Sequence, residues 1–156
     1  MAKINGSGKY VAAALPLVVS LVSSALCPRN RASFSPAATP PSWVFPVVWY
    51  TLYALLGAAW YRAVASGGGA CPLSLVLGAT QALLATWTFV HSCQRKDRES
   101  TWVLLAIVLA TGYAMLLSDD AGRLLLLPML VWCSFATYLN AEKAAAGAPS
   151  GAPKGF

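Results

Sequence analysis

Apolar residues fall into five blocks of membrane-crossing length, at about residues 10–27, 43–65, 72–92, 101–117 and 123–139, separated by short polar or Gly/Pro-rich joints. A hydrocarbon core about 30 Å thick takes roughly 20 helical residues per crossing, within a range of about 17–25. Blocks this long, without two-residue alternation, predict helices rather than barrel strands, because in lipid every backbone N–H and C=O must be paired inside the structure. Charged residues are only 10% of the 156 and hydrophobic residues 58%, too few charges to clothe a soluble domain, where about one quarter is usual. The expected fold is an all-α integral membrane protein, a five-transmembrane-helix bundle over residues 10–140. A short segment, 1–9, precedes it, and an Ala/Gly/Pro/Lys tail, 141–156, with no periodic apolar face, is expected to be disordered.

The joints carry the charge. The longest runs from Pro28 to Ser42, and its Pro36, Pro40 and Pro41 predict an extended or turning path. The first block follows Lys3 and Lys9 and ends with the small residues Ser23, Ser24 and Ala25, a pattern that also fits a cleavable secretory signal. Gln94 to Glu99 is the most charged stretch and cannot lie in hydrocarbon, where a central charge costs about 2.5–3.5 kcal/mol. With five spans, Lys3, Lys9, Arg62 and Arg123 share one side, while Arg29, Arg31, Arg95, Lys96, Arg98, Lys143 and Lys154 share the other. The positive-inside rule then predicts a cytoplasmic carboxyl terminus. This asymmetry accounts for most of the net charge of +6, suits anionic lipid headgroups, and lacks the interleaved aromatics of a nucleic-acid surface.

Several chemistries are missing. Cys27, Cys71, Cys93 and Cys133 have no metal-ligand or CxxC spacing and are expected to be free thiols. His91, the single histidine, reads as a polar helix end rather than an axial haem ligand. All five acidic residues lie in joints or the tail, so no carboxylate relay crosses the membrane, and no hydrolytic or phosphate-binding motif is present. What remains inside the spans is aromatic. Trp49, Tyr53, Leu56 and Trp60 share one helical face, and Pro128, Trp132, Phe135, Ala136, Leu139 and Asn140 form a second stripe. Facing each other, these stripes make a flat-walled apolar slot for a planar ligand; the alternative is plain packing or an interfacial aromatic belt. Gln81 is mid-span, where an amide needs a partner on another helix or on a ligand. Ala54 with Ala58, and Gly78 with Ala82, permit close helix approach and are compatible with a homodimer.

Two segments then carry a resemblance. Pro40 to Tyr53, read as Pro-Pro-Ser-Trp-Val-Phe-Pro-Val-Val-Trp-Tyr-Thr-Leu-Tyr, is similar to the signature of the TspO/MBR family, the tryptophan-rich sensory proteins, translocator proteins and peripheral benzodiazepine receptors. Leu127 to Asn140 resembles that family's last helix, with Pro128, Trp132, Ala136 and Asn140 at the matching spacings. The resemblance implies a five-helix bundle, often dimeric, that binds porphyrins such as protoporphyrin IX and haem-pathway tetrapyrroles and, in animal members, cholesterol and drug ligands. Carried over by motif, the ligand would meet Trp49, Tyr53, Trp132, Phe135 and Ala136, with Asn140 and Gln81 nearby and Pro41 and Trp43 at the mouth of the slot. It implies no required cofactor, the tetrapyrrole itself being the ligand. A bacterial inner membrane and a mitochondrial outer membrane both suit such a chain.

Departures from the family pattern are specific. After Gln81 the usual asparagine is Ala85, and the tryptophan falls one place early, at Trp87. Met129 stands for the usual tyrosine after Pro128, Ala141 for an aromatic after the final asparagine, and Ala37, Ala38 and Thr39 for a tryptophan before the Pro-Pro pair. Tyr138 has Lys143 after it but no Leu or Val at the required distance before it, so the cholesterol motif is not met. Three functions follow as expectations: a tetrapyrrole receptor or carrier, a light-dependent porphyrin-degrading enzyme using Trp49 and Trp132 as electron donors, or a structural scaffold without a small-molecule ligand.

Overall fold

The protein's computed structural model describes residues 7–26, 37–94 and 96–147, and among them there is no strand. Five long helices account for most of these residues: α1 (Ser7–Leu26), α2 (Val44–Gly67), α3 (Pro72–Thr88, continued by π-helical turns over Phe89–Gln94), α4 (Asp97–Leu117) and α5 (Asp120–Gly147). Four of them are long and apolar enough to cross a membrane, and α1 adds a shorter apolar stretch, Ser7–Val22.

Local chemistry sets the helix ends. Α turn in which Val44 N–H bonds the Pro41 carbonyl at 3.0 Å starts α2, and Gly68, at φ 80°, ends it in a backbone region that favours glycine. Cys71 then caps α3, its Sγ accepting the Ser74 N–H at 3.4 Å and donating to the Ala63 carbonyl at 3.6 Å, with Pro72 as the first helical residue. Asp97 and Glu99 occupy the first turn of α4, where carboxylates oppose the helix dipole, so this helix starts earlier than its apolar block alone predicts. Asp119 precedes α5 and accepts the Gly122 N–H at 2.8 Å, while its other oxygen pairs with Arg62 at 2.7 Å. The Gly122 hydrogen bond and the Arg62 guanidinium together hold the Asp119 carboxyl below the usual carboxylate range.

The tail departs from expectation. Helix α5 runs on through Ala141, Glu142, Lys143 and three alanines to Gly147, so that the first part of the segment expected to be disordered is helical. Alanine is the best helix former, and Lys143 is anchored 3.5 Å from the Asp97 carboxylate. Residues 148–156, with the rest of that expectation, lie outside the described residues, as do most of the first joint, 28–36 of its span, and Arg95.

Packed together, the helices form a closed circuit in which α1 meets α2, α2 meets α5, α5 meets α4, α4 meets α3 and α3 returns to α1, with α2 and α3 also touching across it. Leu52, Leu56, Leu77, Leu84, Leu104, Ile107, Leu126 and Met129 fill the centre. Leu75, Trp102, Leu109, Leu116, Leu124 and Val131 point outward and are exposed, an outer surface suited to lipid rather than water. Two polar links tie neighbouring helices: Trp60 Nε1 donates to Ser74 Oγ at 2.8 Å, partly buried, and Asn140 Nδ2 donates to Ser100 Oγ at 2.9 Å, buried. The cysteines correct one expectation. Cys71 and Cys133 are free, but Cys93, exposed at the end of the π-helical turns, is disulfide-bonded; Cys27 lies outside the described residues. Cys133 is buried and Cys71 half-buried, whereas Cys93, at an exposed helix end, is accessible to a second thiol.

Candidate functional site

The contact of α2 with α5 brings the two aromatic stripes into one cluster. On α2, Trp49 and Tyr53 are buried, one helical turn apart, with ring centroids at 5.8 Å. On α5, Trp132 packs against Phe135 at 5.7 Å and meets Phe45, one turn before Trp49, edge-on at 5.8 Å. Ala136 is buried beside Trp132 and Phe135, a small residue between larger ones. The Tyr53 hydroxyl lies against the hydroxyls of Thr88 and Ser20, which links α2 to α3 and α1.

The third wall comes from α3. The Trp87 indole stacks on Trp49 at 5.0 Å and 29°, and the His91 imidazole stacks on the other side of Trp87 at 5.1 Å and 11°. Tyr53, Trp49, Trp87 and His91 are thus a continuous ladder of rings leading from the interior towards the polar end of the bundle. There His91 Nδ1 is 3.8 Å from the Asp97 carboxylate, which Lys143 also approaches. The π-helical turns that present His91 are wider than α-helical ones, and such turns concentrate at functional positions.

Several buried polar atoms in the bundle have no hydrogen-bond partner. Among the described residues, both amide atoms of Gln81 are buried without a partner, and so are the indole nitrogens of Trp87 and Trp132 and the Thr111 hydroxyl. Gln81 is only 4% exposed, so water does not satisfy it from the surface. A buried polar group left unpaired costs about 1–3 kcal/mol, and native interiors leave few of them. Two indole N–H donors and an amide that both donates and accepts suit a flat, apolar ligand carrying oxygen acceptors, since indoles can only donate.

Other expected residues are placed elsewhere. Trp43 is 67% exposed and Pro41 is also exposed; both sit where the first joint turns into α2, outside the aromatic cluster. Asn140 is buried, and its Nδ2 donates to Ser100 Oγ, tying α5 to α4. Pro128, first of the α5 stripe, is exposed. The residue that the sequence left out of the site is Trp87. It stands one place off the family's register, yet its four-residue spacing to His91 is a signal of stacking.

Comparisons with known proteins agree with one another. Residues 12–145 match the model of the TspO/MBR family. The chain is 32% identical to a tryptophan-rich sensory protein of Cereibacter sphaeroides over 106 residues, 66% of either chain. It is 28% identical to tryptophan-rich protein TspO of Chlorobaculum tepidum over 137 residues, covering 81% of this chain and 87% of that one. To the human translocator protein it is 33% identical over 117 residues, covering 67% and 66%. The chain therefore spans about two thirds of the length of the first and last of these relatives, and most of the second.

Proposed function

The chain belongs to the TspO/MBR family of membrane proteins, and from that premise we propose that it is a five-span membrane receptor or carrier for tetrapyrroles, held in the slot between α2, α3 and α5. The observation that carries this reading is the set of buried, unpaired groups on Gln81, Trp87 and Trp132 beside stacked indoles. A porphyrin macrocycle supplies the flat apolar face that indoles stack upon, and its propionates supply oxygen acceptors for buried N–H groups. Sterol-like and drug-like hydrophobic ligands with a single carbonyl or hydroxyl fit the same chemistry less fully. In this reading α1 completes the fifth crossing, the carboxyl terminus is cytoplasmic, and the exposed Ala54, Ala58 and Ala82 offer close-approach faces for a second copy.

A second reading rests on the ring ladder. Because Trp49, Trp87 and His91 are in successive contact, an oxidising equivalent formed at Trp49 has neighbours to share it. The same slot is thus equipped for light-dependent oxidation of the bound tetrapyrrole by dioxygen. One titration separates the readings. Protoporphyrin added in the dark to detergent-solubilised protein is expected to quench tryptophan fluorescence saturably. The Trp49→Phe/Trp132→Phe double variant should weaken this about tenfold, each aromatic contact contributing about 0.5–1.5 kcal/mol. Illumination that consumes the ligand only when these indoles are present would select the enzyme. Linear quenching, equal in the variant, would remove both readings and leave a scaffold.

A further inference from the structure

We propose that the outer cleft where α4 meets α5 is a binding site for a zwitterionic phospholipid with a primary ammonium headgroup. It is separate from the tetrapyrrole slot and does not depend on that reading.

The cleft, about 310 Å³, opens outward and is lined by Met115, Asp120, Arg123, Leu124 and Leu127. Its apolar walls come from the last turn of α4 and the first two turns of α5, the level at which these helices leave the hydrocarbon. Leu124 is 70% exposed and Leu127 44%, so the wall continues onto the lipid-facing surface of the bundle, as an acyl chain requires. Charge is confined to the outer rim. Arg123 is held over that rim by its own Nε–H, which donates to the Met115 carbonyl at 3.1 Å, and by a 3.2 Å contact with Asp120. A guanidinium has five N–H donors, and these two bonds leave three for a phosphate.

Asp120 supplies the opposite sign. Its side chain is 97% exposed, and only one of its oxygens touches Arg123. The neighbouring Asp119 is already occupied by Arg62 and the Gly122 N–H, so Asp120 is the carboxylate available to an incoming cation. A cation and an anion side by side above an apolar cleft match a headgroup whose phosphate and ammonium are a few bonds apart. An anionic lipid would meet Arg123 favourably but Asp120 unfavourably, and a quaternary ammonium offers Asp120 no hydrogen bond. The match therefore selects an ethanolamine-type headgroup over glycerol-type or choline-type ones.

Native mass spectrometry of the full chain, released from nanodiscs holding equal amounts of phosphatidylethanolamine, phosphatidylglycerol and phosphatidylcholine, reads this directly. Wild-type protein is expected to retain the ethanolamine lipid about fivefold over the other two, as one charge-assisted contact on a partly exposed surface allows. Arg123→Gln should lower retention of all three lipids. Asp120→Asn, an exposed and conservative change that keeps the fold, should erase the preference and raise glycerol-lipid retention. Thermal melts of each variant show that the bundle is intact. Equal retention of the three lipids by wild-type protein, or a preference that persists in Asp120→Asn, would overturn the proposal.

Discussion

Replacing Gly57 by leucine is expected to prevent recovery of a folded bundle, and even Gly57→Ala should lower its thermal midpoint sharply. A Cβ at Gly57 would lie 2.2 Å from the Ala13 carbonyl oxygen and 3.1 Å from its carbon. Those are backbone atoms of α1, so no side chain can rotate away; the whole helix must move. Overpacking a core usually costs about 1–3 kcal/mol, and a clash with backbone belongs at or beyond the upper end. Small residues at membrane helix crossings exist for this close approach. Gly112 is the contrast. A Cβ there meets only the Leu130 methyl at 4.0 Å, so Gly112→Ala is the matched control and should be neutral or stabilise by up to about 1 kcal/mol. Melts of the three variants in one detergent, followed by circular dichroism, decide it. If Gly57→Ala melts like wild type, α1 does not pack on α2 as described.

Gln81→Leu should act with opposite signs on stability and on binding. Replacing an unpaired buried amide with an apolar group of similar size removes a desolvation penalty of about 1–3 kcal/mol, so the ligand-free protein is expected to become more stable. The same change removes a donor and an acceptor from the slot and should weaken protoporphyrin binding about tenfold or more. Few packing residues behave this way, because loss of a structural contact lowers both quantities together. A destabilised Gln81→Leu variant with unchanged affinity would assign the amide to the bundle alone.

Much of this was legible in the chain, and what was not has definable causes. Block lengths marked the helices because hydrocarbon thickness sets a minimum run of apolar residues, and four-residue spacing put Trp49 and Tyr53 on one buried face. Partners across helices were a different matter. Asn140 sits at the spacing of a pocket residue, but its partner Ser100 is forty positions away and marks the start of a different helix. Trp87 stands one place early against the family pattern and was not among the expected site residues; in space its ring lies on Trp49. Cys71 looked like an idle thiol, although it caps α3 with sulfur in the place usually taken by an oxygen. The helical alanines after Asn140 were read as low-complexity tail, since composition alone does not reveal that Lys143 reaches back to Asp97.

The central claim is that a tetrapyrrole engages the indoles of Trp87 and Trp132 inside the bundle. The chain has six tryptophans, each with one indole N–H, and their environments differ. Trp60 is bonded to Ser74, Trp43 and Trp102 are exposed on the outside, and Trp87 and Trp132 are half-buried with indole nitrogens that are buried and without a hydrogen-bond partner among the described residues. An indole-¹⁵N-labelled sample in detergent, assigned by single Trp→Phe variants, reports all six at once as protoporphyrin is added in the dark. The account predicts that the Trp87 and Trp132 signals move downfield as their N–H groups gain acceptors, that Trp49 moves by ring current, and that Trp60, Trp43 and Trp102 stay in place. Shifts confined to Trp43 and Trp102, with Trp87 and Trp132 unmoved at saturation, would put the ligand on the outer surface and contradict the slot.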